Sequence, residues 1–591
     1  MIERRPLRPW PFTAFAVLLF MTACTGRAPE TPPPAGEQPA TTAIVQYDKI
    51  HHPQLAQRGI VVSQNARASQ IGQAILARGG NATDAAIATA FALAVTLPRA
   101  GNLGGSGFYL GYERSRGSIT ALDFRSAAPA AFDPESFRDA DGIIDRARFR
   151  FGPISAGVPG TVAGLHEAWQ RHGQLPWAEL VAPAEQLARE GIPVSADLAF
   201  ALNAANGLLR QYPSSTAAYL NDGQPYRLGE RLQQPALAEA LRLIGAEGSA
   251  TLYGGTLGQR LVAAVQRDGG VLQLSDLTRY RVRERDTLST RYRDHEVFSM
   301  PPVSGGGATL LQMLNILSHF ELGTLPRGGA EHLHLLAEVM KQGAASRRSG
   351  LGDPDFAELQ LQERLSPGAA QRWSRLIRRD RARAVSKVQP LLPPLPESRD
   401  TTHLSVVDSD GNAVALTYTL GYSFGSGYVA GDTGILLDNQ MLNFYYDEPT
   451  HANAFAPGKR MMSTMSPTIV LDPQGQLFLV TGTPGGSRIV NAVLQILVNA
   501  IDYGLDIASA TQAPRIHQNW QAAPSGDAPW QPPALQVERT LSRDVRKALE
   551  ALGHRVETTQ TIGSTQSIMV RGGHLEGAAD TRRPDARAAG Y

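Results

Sequence analysis

RDTTHLSVVDSDGNAVALTYTL, residues 399–420, is the stretch on which the reading of this chain turns. Residues 404–407 and 413–420 are β-branched or apolar with polar interruptions, and Ser409-Asp410-Gly411-Asn412 between them is turn chemistry, so a β-hairpin is predicted. The hairpin puts Thr401 at the head of its first strand and Thr419 near the end of its second, where two hydroxyls can meet across neighbouring strands. Taken alone, Thr-Thr-His before a strand is an ordinary β-branched strand opening, so the surrounding motifs carry the argument.

Downstream follow GILLDNQM (434–441), MSTMSPTIV (462–470), TGTPGGSRI (481–489), GSTQSIMV (563–570) and the terminal AAGY (588–591). With the hairpin, and in this order and spacing, they resemble the small subunit of gamma-glutamyltransferases. These are N-terminal nucleophile hydrolases that cut themselves to expose a catalytic Thr. Upstream the likeness runs to about residue 50 through 101–112, TALDFR (120–125), 150–165 and 300–314. The fold it implies is α/β, a four-layer αββα sandwich of two stacked, mainly antiparallel sheets covered by helices. A large chain of about 25–400, folded from 51, and a small chain of 401–591 would intertwine after cutting at Asp400-Thr401.

The resemblance also assigns roles. Thr401 is the nucleophile and Thr419 its hydrogen-bond partner; Arg125 of Asp-Phe-Arg clamps the donor's α-carboxylate, as a guanidinium fork suits. Gln440, Asn443, Ser463 and Thr464 match donor-binding positions, Thr464 standing where the family has Ser. Independently, 477–481 reads as a strand, 482–486 as a tight loop and 489–501 as an apolar helix, which brings the Gly485 and Gly486 amides near a helix N-terminus. The matching family glycines form the oxyanion hole.

Three departures bear on the donor. Ser126 stands where the family usually has Glu, Gly421 where better-known members have Asn, and Asn443 where they have the Asp that binds the donor's α-ammonium. The expected activity is hydrolysis and transfer of a γ-glutamyl group from glutathione or related small molecules, with no cofactor and no metal. A glutaryl or cephalosporin-type acylase is the alternative in the same superfamily, and an uncut surface binding protein the alternative in another class. Residues 445–459 are shorter than the lid loop of lidded members, which implies an open cleft.

The rest of the chain is consistent with a soluble enzyme. Its 591 residues are 42% hydrophobic and 19% charged, with a net charge of +2 and no basic run that tracks a phosphate backbone, so no nucleic acid partner is expected. The loop 101–107 is Gly-rich, but it follows a helix and leads into a strand, the reverse of a phosphate loop. Arg4, Arg5 and Arg8 precede an apolar run, 12–21, too short for the ~20 residues of a spanning helix, so 1–24 reads as a signal peptide. Thr22-Ala23 before Cys24, the only cysteine, resembles a lipobox, and Thr25 lacks the Asp of inner-membrane retention. A periplasmic enzyme lipid-anchored to the outer membrane is therefore expected, with Pro-rich 25–50 as its tether. His332 and His334 read as ordinary helix residues, and 375–387 as a solvated basic face before the Pro-rich 390–396.

Overall fold

The computed structural model describes residues 50–384, 400–519 and 533–591. The expectations for the signal segment, Cys24, the tether and the Pro-rich lead-in 390–396 fall outside the described residues.

The hairpin forms as read. Thr402–Val407 pairs antiparallel with Ala413–Thr419, Thr402 opposite Tyr418 and Val407 opposite Ala413. In its turn Asp408 Oδ1 accepts the N–H groups of Asp410 at 3.0 Å and Asn412 at 2.9 Å, and Gly411 takes φ 80°, which a Cβ would oppose.

Around the hairpin grows the first large sheet, in the order Arg587–Gly590, Ile60–Ser63, Thr402–Val407, Ala413–Thr419, Ser106–Glu113, Ser118–Phe124, Arg283–Arg285. The second runs Gln54–Ala56, His574–Ala579, Gln566–Arg571, Leu477–Thr481, Thr468–Leu471, His295–Ser299, Leu288–Tyr292. Every pairing in both is antiparallel. Both sheets combine strands from before and after residue 400, so a cut at that point leaves two chains that share each sheet.

Period-two alternation builds the layers. Leu404, Val406, Val414 and Leu416 face one helical layer, while Val407, Ala413 and Ala415 meet Ile469 and Val480 of the second sheet. Val470 and Leu479 point the other way, into a second helical layer containing Ala330–Arg348 and Arg488–Ile501. The result is helix, sheet, sheet, helix, as expected from the resemblance.

Two helices next to the hairpin show how closely these layers approach. Asn65 caps Ala66–Ala77 by accepting from Arg67 and Ala68 N–H. Asn81 caps Ala82–Thr96 in a capping box with Asp84, whose carboxylate accepts the Asn81 N–H at 3.1 Å. The helix is buried throughout, and a Cβ on Gly72 of its neighbour would lie 2.2 Å from Thr89 Oγ1. Gly72→Ala therefore costs about 1–3 kcal/mol by overpacking, seen as a lower midpoint in urea; an unchanged midpoint would show that the contact yields freely.

His403 is buried as a polar group between the sheets. Ser405 Oγ donates to Gln566 O at 2.9 Å and so accepts from His403 Nε2 at 3.1 Å, which leaves Nδ1 to accept from Thr417 Oγ1 at 2.7 Å. The ring is neutral and satisfied, and burial pushes its pKa down to about 3. Gly482 makes room for it, since a Cβ there would meet the ring at 2.3 Å. Unfolded, this histidine titrates near ~6.5. Below that pH the unfolded chain takes up a proton that the fold refuses, so the His403 contribution to stability falls from about pH 6.5 down towards 3. A plot of melting temperature against pH over this range should be shallower for His403→Gln than for the native chain; superimposed slopes would contradict the assignment.

Candidate active site

Thr401 sits at the head of the Thr402–Val407 strand, 6% exposed, with its peptide bond to Asp400 intact. Its Oγ1 lies 2.7 Å from Asp400 O and 3.1 Å from Thr419 Oγ1. Thr419 Oγ1 donates to Asp400 O at 3.1 Å and accepts from Gly421 N–H at 2.9 Å. Two hydroxyls and the carbonyl of the preceding residue are thus brought together around one peptide bond, with one hydroxyl donating to that carbonyl from the neighbouring strand. Gly421, where an Asn was expected from the resemblance, holds φ 94°, and a Cβ there would lie 2.3 Å from Asn439 Oδ1. This backbone has no place for the larger residue.

A cleft of about 90 Å³ opens onto Thr401 and Thr419. The predicted Arg125, Gln440, Asn443, Ser463, Thr464 and Gly486 all line it; Gly485 lies next to it in the loop but outside the lining. Arg125 is 1% exposed, donating Nε to Met461 O at 3.1 Å and Nη1 to Ser106 Oγ at 3.2 Å. Burial pulls its pKa down to about 10, with the charges of Asp438 and Asp123 acting against that pull, so it stays a cation near neutrality. Gln440 spends its amide N–H groups on Ser106 Oγ at 2.7 Å, Asp438 Oδ2 at 3.1 Å and Thr419 O at 3.3 Å. Its Oε1 is buried and has no partner among the described residues.

Ser126 explains itself through Asp438. Its hydroxyl bonds that buried carboxylate, which also takes Gly157 N–H at 2.8 Å. The acid lies one layer behind the cleft, and burial pushes its pKa up. Asn443 ends the turn Gln440–Asn443 and its carbonyl accepts from Asn453 Nδ2 at 2.7 Å. Thr464 Oγ1 donates to Gly486 O at 2.9 Å, so a residue lining the cleft also braces the glycine loop, where Gly485 and Gly486 take φ 137° and 60° ahead of the helix Arg488–Ile501. Of 445–459, Tyr445 lines the cleft while Tyr446 and Phe455 turn into an aromatic cluster with Phe132 and Phe444.

Sequence reasoning missed Arg347 and Arg348, which reach the cleft from the end of the helix Ala330–Arg348. Their only signal was a pair of arginines closing a helix, and both are buried with it, 4% and 3% exposed. It also missed the partners of His334. In this helix His334 Nδ1 faces His554 Nε2 at 2.8 Å, His334 Nε2 donates to Arg378 O at 2.6 Å, and Glu338 takes Lys341 at 2.6 Å and Arg383 N–H at 3.2 Å. The ligand-type atoms of His334, Glu338 and His554 come within 4.8 Å of one another, but the two histidines bond each other, Glu338 is taken by Lys341 and Arg383, and none of the three lines the cleft. The basic face of 375–384 is therefore partly anchored through its backbone rather than wholly solvated.

The model of one protein family, Gamma-glutamyltranspeptidase, matches residues 68–590. The chain is similar to the glutathione hydrolase proenzyme of Escherichia coli (strain K12), 43% identical over 95% of this chain and 96% of that one. It is also similar to the glutathione hydrolase proenzyme of Pseudomonas sp. (strain A14), 37% identical over 91% and 95%. Among solved structures it resembles the cephalosporin acylase of Bacillus halodurans, with a TM-score of 0.82 at 28% identity, over 94% of this chain and 99% of that one. The self-cutting geometry at Thr401, the layered fold and these likenesses converge: the chain belongs to the gamma-glutamyltranspeptidase family.

Proposed function

We propose that this chain is a glutathione hydrolase and gamma-glutamyltransferase, formed as one precursor and cut at Asp400-Thr401 into a large and a small subunit. The observation that carries this is the Thr401 hydroxyl, 2.7 Å from the Asp400 carbonyl oxygen that Thr419 also holds. In cutting, Thr401 Oγ1 bonds to the Asp400 carbonyl carbon, the C–N bond breaks and the hydroxyl proton passes to the leaving nitrogen. Water then opens the resulting ester, leaving the Asp400 carboxylate and a free Thr401 amine and hydroxyl.

That amine, with a reference pKa of about 7.7–8.0, is partly neutral near pH 7 and serves as general base for its own hydroxyl. Thr401 attacks the donor's γ-carbonyl, the amide C–N bond breaks and the amine leaves with the hydroxyl proton, and water or an amino-acid or peptide acceptor then takes the acyl group from the ester. Gly485 and Gly486 amides stabilise the oxyanion. Arg125 grips the donor's α-carboxylate, Ser463 and Thr464 flank it, and the unpartnered Gln440 Oε1 accepts from the α-ammonium beside Asn443. We also propose a periplasmic location with a lipid anchor at Cys24, supported by the Arg-led apolar run and the small residues before that cysteine. No helix among the described residues is long and apolar enough to cross a membrane.

A second reading, an acylase for glutaryl amides, draws on the charge of the cleft. Among the described residues lining it are three arginines and no Asp or Glu. Such a lining suits a donor ending in a carboxylate without an ammonium group. A charged hydrogen bond is worth roughly 1.5–3 kcal/mol, so an amide in place of the acid weakens γ-glutamyl binding about ten- to a hundredfold.

Two expected outcomes follow. Thr419→Val, which removes the donor to the Asp400 carbonyl but keeps the strand, slows self-cutting by about 10- to 100-fold on a gel time course; cutting at the native rate would remove Thr419 from the account. Asn443→Asp shifts the ratio of kcat/KM on γ-glutamyl over glutaryl anilides about tenfold or more towards γ-glutamyl. A native chain that works only on the glutaryl compound would favour the second reading, and an unchanged ratio in the variant would remove Asn443 from the donor site.

A further inference from the structure

The side chain of Asp400 sits in a ring of four charges. Arg99 Nη1 donates to Asp400 Oδ1 at 3.0 Å, and Nη2 of the same guanidinium to Asp197 Oδ2 at 2.5 Å. Arg583 repeats the pattern from the other side, Nη2 to Asp400 Oδ1 at 3.3 Å and Nη1 to Asp197 Oδ1 at 3.5 Å. Two cations face two anions, so the ring is neutral. It is also largely buried, with side chains 7% (Arg99), 11% (Asp197), 19% (Asp400) and 27% (Arg583) exposed, and therefore weakly screened.

The members come from distant places. Arg99 follows the helix Ala82–Thr96, Asp197 lies in the first turn of Ala196–Leu209, and Arg583 precedes the last strand, Arg587–Gly590. Ser195 caps the Asp197 helix through Leu198 N–H at 3.1 Å, and its hydroxyl donates to Asp585 at 2.5 Å, which ties this turn to the Arg583 segment. Neither Arg99, Asp197 nor Arg583 lines the cleft, so donor binding does not account for them.

What the ring does control is the residue whose carbonyl must be attacked. One end of Asp400 is held by two guanidinium groups and the other, its carbonyl oxygen, by Thr419 at 3.1 Å. Holding both ends restricts rotation about the bonds between them, and a misplacement of ~1 Å at a reacting centre can cost about a hundredfold in rate. We propose that Arg99 and Arg583, with Asp197 as their shared counter-ion, are positioning residues for self-cutting. They grip the Asp400 carboxylate so that its carbonyl carbon stays within reach of the Thr401 hydroxyl. The proposal rests on self-cutting at Asp400-Thr401 and adds the ring to that step.

The test uses full-length precursor in which Asp400→Asn or Arg583→Gln is introduced singly and together, with native chain and Thr401→Ala alongside. The rate of conversion to two polypeptides is followed on gels. The same substitutions are placed in the Thr401→Ala background, where nothing is cut, for melting temperatures. The expected result is cutting slowed at least about tenfold in each single variant, a double variant no slower than the slower single one, and melting temperatures within a degree or two of Thr401→Ala alone. Native-like cutting in the single variants, losses that multiply in the double, or slowing matched by a fall in melting temperature would overturn it. A native chain that never cuts would instead defeat the underlying reading, so the two failures are distinguishable.

Discussion

The structure depends on one pairing, that of the strand Thr402–Val407 between Ile60–Ser63 and Ala413–Thr419. Hydrogen-bonded on both sides, this strand cannot slip by one residue without sending His403 and Ser405 into the helical layer and Leu404 and Val406 between the sheets. The register therefore fixes which hydroxyl stands at the strand head. It puts Thr401 and Thr419 against each other and against the Asp400 carbonyl, the arrangement from which both self-cutting and acyl transfer are derived.

The neighbouring strands share that constraint across the future cut. Ile60–Ser63 and Ser106–Glu113 come from before residue 400 and flank a hairpin that follows it, so the site is held by pairings that survive loss of one peptide bond there. The cleft is built on the same frame: Arg125 follows the strand Ser118–Phe124, and Ser106 at the start of its neighbour receives both Arg125 and Gln440. Arg125 and Thr401 stand at the ends of paired strands, and Gln440, in the turn Gln440–Asn443, is tied to that frame through Ser106 and the Thr419 carbonyl.

Much of this was legible beforehand, because it is local. Alternating residues around Ser409-Asp410-Gly411-Asn412 specify a hairpin by themselves, and the motif order pointed to residues that the fold brings to one cleft. What was not legible is long-range. Nothing in Arg99, Asp197 and Arg583 singly distinguishes them from surface charges; they gain meaning when folding closes separations of 301 and 386 residues. Arg347 and Arg348 likewise became cleft residues only once their helix end was seen beside Asn443 and Tyr445. Gly421 and Ser126 looked like lost contacts, and the structure supplies their reasons in Asn439 and Asp438.

The central claim is that the chain makes its own nucleophile. The most direct measurement is the intact mass and N-terminal sequence of the purified protein. The account predicts two polypeptides, the smaller beginning Thr-Thr-His and running to Tyr591. A single uncut chain that stays uncut on incubation would contradict it, and the molecule would then have to be understood as a surface binding protein.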